Sequence, residues 1–266
     1  MAVEEGRTSS RCIACRNPGE PRSVNQTGFC PARNILLFSG WVMGRRGSVS
    51  DLDTLVLLEG NIAAGKSTLG HRLKASRMFE FIKEPVSAWR KGFASNLLSL
   101  FYSDPQRWSF TFQLAAFTTR AMAWASQLEK LNHRAVILER SIYCDRYVFA
   151  KNCFQRGLMT NTEWELYCHL WDWLKGAVWA DPDVIIYLRT PAKTCLERIR
   201  ERGRMEEASL NLSYLLDLEG LHDSWLLDNP DAIVLDGEET WTAEAIRDAL
   251  CSHGIDLMNE SISEGR

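Results

Sequence analysis

Thr54-Leu55-Val56-Leu57-Leu58-Glu59 runs without a break into Gly60-Asn61-Ile62-Ala63-Ala64-Gly65-Lys66-Ser67-Thr68, and this junction decides the fold. An apolar run that ends in G-x-x-x-x-G-K-S and then turns amphipathic reads as strand, phosphate-binding loop and helix. Glycines at both ends of the loop let successive backbone N–H groups curl around an anion with no Cβ in the way. The helix that opens near Gly65 adds its positive dipole end and its unpaired N–H groups. Lys66 is expected to reach the β- and γ-phosphates of a nucleoside triphosphate, and the Ser67 hydroxyl to take one Mg²⁺ position. Residues 60–68 as a whole are the expected ATP-binding segment.

Working outward, four more short apolar runs read as strands, at about 79–83, 135–139, 184–188 and 232–236. Helical patterns separate them, at about 65–76, 105–131, 141–156, 162–178, 191–203, 209–227 and 242–252. Strand and helix in alternation imply a parallel sheet with helices on both faces. Ala135-Val136-Ile137-Leu138 and Val184-Ile185-Ile186-Tyr187-Leu188 are nearly continuous in apolar character, as strands buried on both sides should be. The expected architecture is therefore an α/β P-loop NTPase fold, a five-stranded parallel sheet flanked by helices.

Bulk properties narrow the partners. With 45% hydrophobic and 24% charged residues, the chain can build a large core. A formal charge of −3 argues against a general nucleic-acid binder, which needs a basic face. No run approaches the roughly 18 uninterrupted apolar residues of a membrane span. The eight cysteines are scattered, which suits a reduced intracellular protein, and Cys12-x-x-Cys15 has only Cys30 as a third partner, too few for a metal site. Residues 1–50 form a separate segment, rich in Arg, Ser, Gly and Pro and without Lys or any period, read as a disordered tail. Its seven Arg against three Glu also suit a mitochondrial transit segment, whereas Glu4 and Glu5 suit an untargeted tail. Met43 offers an internal start for a shorter cytosolic form, so a cytoplasmic or mitochondrial location is left open. Residues 51–266 are the expected folded domain.

In sheets of this kind chemistry gathers at the carboxyl ends of the strands. The second run delivers Glu84-Pro85, and a proline there keeps Glu84 extended, so that its carboxylate can accept a proton from an attacking hydroxyl. The third delivers Glu139-Arg140-Ser141. Glu139 stands where an acidic residue can serve Mg²⁺, and Arg140 can pair with the transferring phosphoryl group or the attacking oxygen. Arg198 and Arg202 are four apart and share a helix face. With Arg204, after Gly203, they suit an arginine-rich lid that closes on a triphosphate.

These segments, with Glu84-Pro85-Val86-x-x-Trp89, Arg107-Trp108-Ser109-Phe110-Thr111-Phe112-Gln113 and Glu139-Arg140-Ser141-Ile142-Tyr143-Cys144-Asp145-Arg146-Tyr147, resemble the deoxynucleoside kinases over about residues 54–250. The resemblance implies transfer of the γ-phosphoryl group of ATP, or another triphosphate, to the 5′-hydroxyl of a deoxynucleoside, in nucleotide salvage. It makes Glu84 the base, Arg140 its neighbour, Lys66 a catalytic phosphate contact, and Ser67 and Glu139 the Mg²⁺ residues. Tyr102 and Glu207 resemble the pair that holds the sugar 3′-hydroxyl, Gln113 the residue on the base edge, and Trp89 and Phe149 the walls of the ring slot. Trp108, Phe110 and Phe112 are read as core packing. The family also implies a homodimer through a helix bundle, here formed by the 105–131 and 162–178 segments.

Ala116 and Arg120 lie three and seven residues beyond Gln113, on one helical face, and Asp145 lies on another helix. The Arg120–Asp145 combination, with Ala116, resembles the deoxycytidine and deoxyguanosine kinases. Such a pair crowds the place of a thymine methyl, so deoxycytidine and purine deoxynucleosides are expected ahead of thymidine. Other features lean the other way. The short segment between Trp89 and Tyr102, and Val184 to Thr190, resemble the thymidine-kinase branch, which keeps a thymidine-preferring or broad-specificity enzyme open. Asp236-Gly237-Glu238-Glu239-Thr240-Trp241 matches neither group and leaves ATP against UTP open. A catalytically inactive structural subunit is disfavoured by intact Lys66, Glu84, Glu139 and Arg140. A nucleoside monophosphate kinase is disfavoured by the Glu84 carboxylate, and a signalling GTPase by the lack of an N-K-x-D segment.

Overall fold

Every apolar run read from the sequence forms a strand in the structure, a computed structural model that describes residues 54–128, 135–178, 181–255 and 257. The strands are β1 (Thr54–Glu59), β2 (Glu80–Ile82), β3 (Ala135–Glu139), β4 (Val184–Arg189) and β5 (Ala232–Asp236). They form one sheet in the order β2-β3-β1-β4-β5, and every pairing in it is parallel. The chain leaves β1 in one direction to build β2 and β3 and in the other to build β4 and β5. A crevice therefore opens at the carboxyl end of β1, where the strand order reverses. The N-terminal tail, including Cys12, Cys15 and Cys30, lies outside the described residues.

Side chains alternate across the sheet, and the two faces bury different sets. Leu55 and Leu57 point with Val136, Leu138, Ile185 and Tyr187 into the larger core. That core is roofed by α4 (Pro105–Leu128), α7 (Asn161–Val178) and α9 (Leu212–Leu226), which contribute Phe117, Trp124, Tyr167, Trp171 and Trp225. Val56 and Leu58 face the smaller core with Ile137, Val184 and Ile186. There α1 (Lys66–Ala75) and α10 (Ala243–Ser252) supply Leu69, Leu73, Ile246 and Leu250. Helix α8 (Ala192–Arg202) ends at Gly203, whose φ of +61° makes the left-handed stop that a glycine accepts readily.

Three differences from the sequence reading matter. Helices α2 (Val86–Lys91) and α3 (Leu97–Ser103) are too short to show a clear period; α3 is started by Asn96, whose side chain accepts from the Ser99 amide. The single helix expected over 141–156 is instead composite. It begins as α5 (Ile142–Cys144), widens to a π-helical turn over Asp145–Ala150, and resumes as α6 (Lys151–Gln155). Finally, the tryptophans of α7 divide: Trp171 is buried and donates Nε1–H to the Ile142 carbonyl at 2.7 Å, while Trp173 is 61% exposed.

Candidate active site

At the end of β1 the backbone turns into a cradle. Gly60 has φ +146°, and a Cβ there would stand 2.5 Å from the Leu188 carbonyl oxygen. Gly65, at φ +105°, forms the N-cap of α1 and offers no side chain to its first turn, so those N–H groups face the cradle for an anion to take. Ala63 also has positive φ, at +60°. Asn61 braces the loop, accepting from the Ile62 amide at 2.8 Å and donating to the Leu215 carbonyl at 2.9 Å. Lys66 is buried and donates to the Gly60 and Asn61 carbonyls at 2.9 and 2.7 Å. Burial first, then the neighbouring Arg140, brings its pKa down to about 8. Ser67 donates to Glu139 Oε1 at 2.5 Å, and the other Glu139 oxygen accepts from the Glu84 amide at 3.3 Å. Oxygen donors of this hardness, side by side at the phosphate loop, suit Mg²⁺.

The cradle opens into a cavity of about 830 Å³. Its floor is a charged network. Glu84 Oε1 accepts from Arg120 Nη2 at 2.9 Å and pairs with Arg140 Nε at 3.2 Å. Arg120 grips Asp145 with two bonds, at 2.8 and 3.0 Å. Burial would push the Glu84 carboxyl up, but Arg140, Arg120 and Lys66 together hold it below the usual carboxylate range. Asp145, deeper still, is pushed up by burial, with Arg120 opposing. The walls are aromatic. Trp89 meets Phe112 edge-on at 5.6 Å, and Phe112 stacks on Phe101 at 4.6 Å, while the Arg140 guanidinium lies 4.6 Å over the Phe149 ring. Ala116 lines the same slot. Gln113 donates to Cys153 Sγ at 3.5 Å, and its Oε1 is buried with no hydrogen-bond partner among the described residues.

At the far side, the three arginines of the expected lid all line the cavity but divide their contacts. Arg198 bridges the Ala64 and Gly237 carbonyls, at 3.1 Å each. Arg202 and Arg204 both hold Glu207, at 2.5 and 3.2 Å. Tyr102 lines the cavity with Glu207, and burial together with that carboxylate pushes its phenol up.

A sequence model of the deoxynucleoside kinases matches residues 56–255. The chain belongs to the deoxynucleoside kinase family. It is 37% identical to deoxycytidine kinase 2 of Gallus gallus over 212 residues, which are 69% of this chain and 80% of that protein. Deoxycytidine kinase of Homo sapiens is 39% identical over 197 residues, 65% of this chain and 75% of its own. Mitochondrial thymidine kinase 2 of Macaca fascicularis is 30% identical over 218 residues, 82% and 78% of the respective chains. As a deoxynucleoside kinase, the chain is an ATP-dependent phosphotransferase whose substrates are small molecules. Among the described residues no helix is long and apolar enough to cross a membrane.

Sequence reasoning overlooked several residues that shape this kinase's cavity. Phe112, assigned to the core, is a wall of the cavity as well. Its position four residues before Ala116 and eight before Arg120 carried that signal. Glu206 joins the segment after α8 to α2 and α3 by accepting from Arg90 Nε at 2.7 Å and Asn96 Nδ2 at 2.9 Å. Its own amide, Asn96 and Arg90 hold its pKa at about 2. Below the cradle, Glu59, Ser141, Cys144 and His222 form a wholly buried polar cluster that no local pattern announces, because its members come from three separate segments.

Proposed function

We propose that this kinase transfers the γ-phosphoryl group of ATP to the 5′-hydroxyl of a deoxynucleoside, with deoxycytidine and purine deoxynucleosides ahead of thymidine. The observation that carries the reading is the buried Arg120–Asp145 pair beside Gln113 Oε1, which has no hydrogen-bond partner among the described residues. An aromatic slot with one free amide acceptor and a fixed ion pair is matched by a flat base carrying an exocyclic amino group. Thymine would bring a methyl group against charged atoms. One mismatched buried polar contact costs about 1–3 kcal/mol, or roughly ten- to hundred-fold in selectivity.

In this reading Glu84 takes the 5′-hydroxyl proton as that oxygen bonds to the γ-phosphorus and the bond to the bridging oxygen of ADP breaks. A carboxylate held by two guanidinium groups is a weak base. Phosphoryl transfer through a loose transition state asks for an aligned, charged carboxylate that can take the proton rather than for a strong base. Arg140, beside Glu84, faces the transferring group. Lys66 and the loop amides of residues 60–68 hold the phosphates, and Arg198, Arg202 and Arg204 form the lid that spreads their charge. Ser67 and Glu139 would hold Mg²⁺, which supplies charge neutralisation on the phosphate oxygens when bound. Tyr102 and Glu207 fix the sugar, with Trp89 and Phe149 around the base.

A second reading, broad specificity that includes thymidine, draws support from the 82% of the chain aligned with mitochondrial thymidine kinase 2. Initial rates of the full chain with deoxycytidine, deoxyadenosine, deoxyguanosine and thymidine, each with ATP and Mg²⁺, separate the two. A preference of at least tenfold for deoxycytidine or a purine over thymidine supports the first reading, and comparable rates support the second. The assembly expected is a homodimer through α4 and α7, where Leu166 and Trp173 stand 47% and 61% exposed seven residues apart on one face. Sedimentation of a Trp173→Ser chain should show a shift toward monomer.

A further inference from the structure

Arg140 is held in an unusual posture. Its backbone is left-handed, at φ +64°, a conformation that costs a non-glycine residue about 1–3 kcal/mol unless its surroundings impose it. Its guanidinium is buried between Glu84 on one side and the thiol of Cys144 on the other, with Nη1 donating to Cys144 Sγ at 3.3 Å. Cys144 Sγ in turn lies 3.5 Å from His222 Nε2, and His222 Nδ1 lies 2.7 Å from the Leu218 carbonyl.

The directions of these bonds can be assigned. A carbonyl only accepts, so Nδ1 of His222 carries hydrogen. Burial, with Arg140 next, drops the His222 pKa to about 3, so Nε2 keeps a free lone pair. The thiol proton has two acceptors in reach, His222 Nε2 and the Glu59 carboxyl, and the chain to α9 runs through Nε2; in either case the sulfur is left to accept from the guanidinium, which can only donate. The ring of His222 is clamped by a stacked Tyr187 at 5.8 Å and 6°. We infer that Cys144 and His222 are positioning residues for phosphoryl transfer, a one-way hydrogen-bond chain that fixes the Arg140 guanidinium against Glu84 from an anchor on α9. The same helix accepts the Asn61 side chain of the phosphate loop at Leu215. One element therefore sets the spacing between the phosphate cradle and the arginine of the acceptor side.

The rival reading is a metal site, since Glu59, Cys144 and His222 place oxygen, sulfur and nitrogen within 4.8 Å of one another, and Glu59 Oε2 has no hydrogen-bond partner among the described residues. A divalent cation there would face the fixed charge of Arg140, 3.3 Å from the sulfur, and the assigned bond directions already occupy both Cys144 and His222.

The inference rests on the functional reading above, and the test separates the two. On the full chain, Cys144→Ala should lower kcat about tenfold, the size of one lost hydrogen bond to a charged group, with KM for ATP within twofold. Cys144→Ser, whose hydroxyl can make the same two bonds, should recover kcat to within threefold. Long-range ¹H–¹⁵N spectra of the unmodified chain should show His222 neutral and protonated on Nδ1 between pH 5 and 8. An unchanged kcat in Cys144→Ala, a Ser variant as slow as the Ala variant, an Nε2-protonated His222, or one equivalent of zinc in the purified protein would each overturn the inference. Absence of turnover on every deoxynucleoside would instead refute the proposed function, and the spectra would still decide the hydrogen-bond chain.

Discussion

At the phosphate-loop end of the cavity the groups that face inward are mostly backbone, and at the end proposed for the nucleoside they are side chains locked into ion pairs. The loop from Gly60 to Gly65 makes its shape from φ angles that glycine permits, and its amides carry no information about which base the triphosphate bears. Glu84, Arg120, Arg140 and Asp145 make theirs from mutual bonds of 2.8–3.2 Å, so each of the four depends on the others. The first end is robust to side-chain change and indifferent to the nucleoside. The second is fragile and, on the proposed reading, the end that discriminates.

The largest test of this contrast is Glu84→Gln. If the acceptor end performs the proton transfer and the loop with its arginine lid holds triphosphate, turnover should fall about 10³-fold while ATP binding, by titration calorimetry, stays within twofold. A parallel loss of ATP affinity would show that the two ends are not separable. Next comes the ion pair. Arg120→Met alone strands Asp145 and should cost about 3–5 kcal/mol of stability in urea unfolding, whereas Arg120→Met with Asp145→Ala removes both charges and should recover most of it. The double variant should also raise thymidine use relative to deoxycytidine by tens of fold, and an unmoved ratio would place base selection elsewhere. The smallest effect belongs to the loop. Lys66 titrates at about 8 in the free protein and bound phosphates would raise that value. ATP affinity should therefore be flat below pH 8 and fall by up to tenfold per pH unit above it, until the pKa of the complex is passed. The stabilisation is present while Lys66 is charged in both states and is lost as the free protein releases its proton.

The same contrast governs what could be read before the structure. The strands were legible because burial on both faces leaves an apolar run, and the phosphate loop because backbone geometry needs glycine at fixed spacing. Glu84 and Glu139-Arg140 were legible as charges closing apolar strands. The Arg120–Asp145 contact was suggested through the family resemblance and not through any local period, since its halves are 25 residues apart. Phe112 does pack in the core, and its second place as a cavity wall stayed hidden because a buried wall and a buried core residue look alike in one dimension. The Cys144–His222 contact spans 78 residues, and a cysteine and a histidine in apolar surroundings give no sign of each other.

The π-helical turn over Asp145–Ala150 has a consequence in phase. On α4 two polar residues that face the neighbouring helix, Gln113 and Arg120, are seven apart, close to two full α-turns. Their partners Cys153 and Asp145 are eight apart, which in an unbroken α-helix would rotate one about 80° away from the other. The wider coil absorbs one residue without adding a rotation, so both contacts fall along one seam. A slip of a single residue in winding is thus what lets one helix support the Gln113 amide and complete the ion pair at the same time.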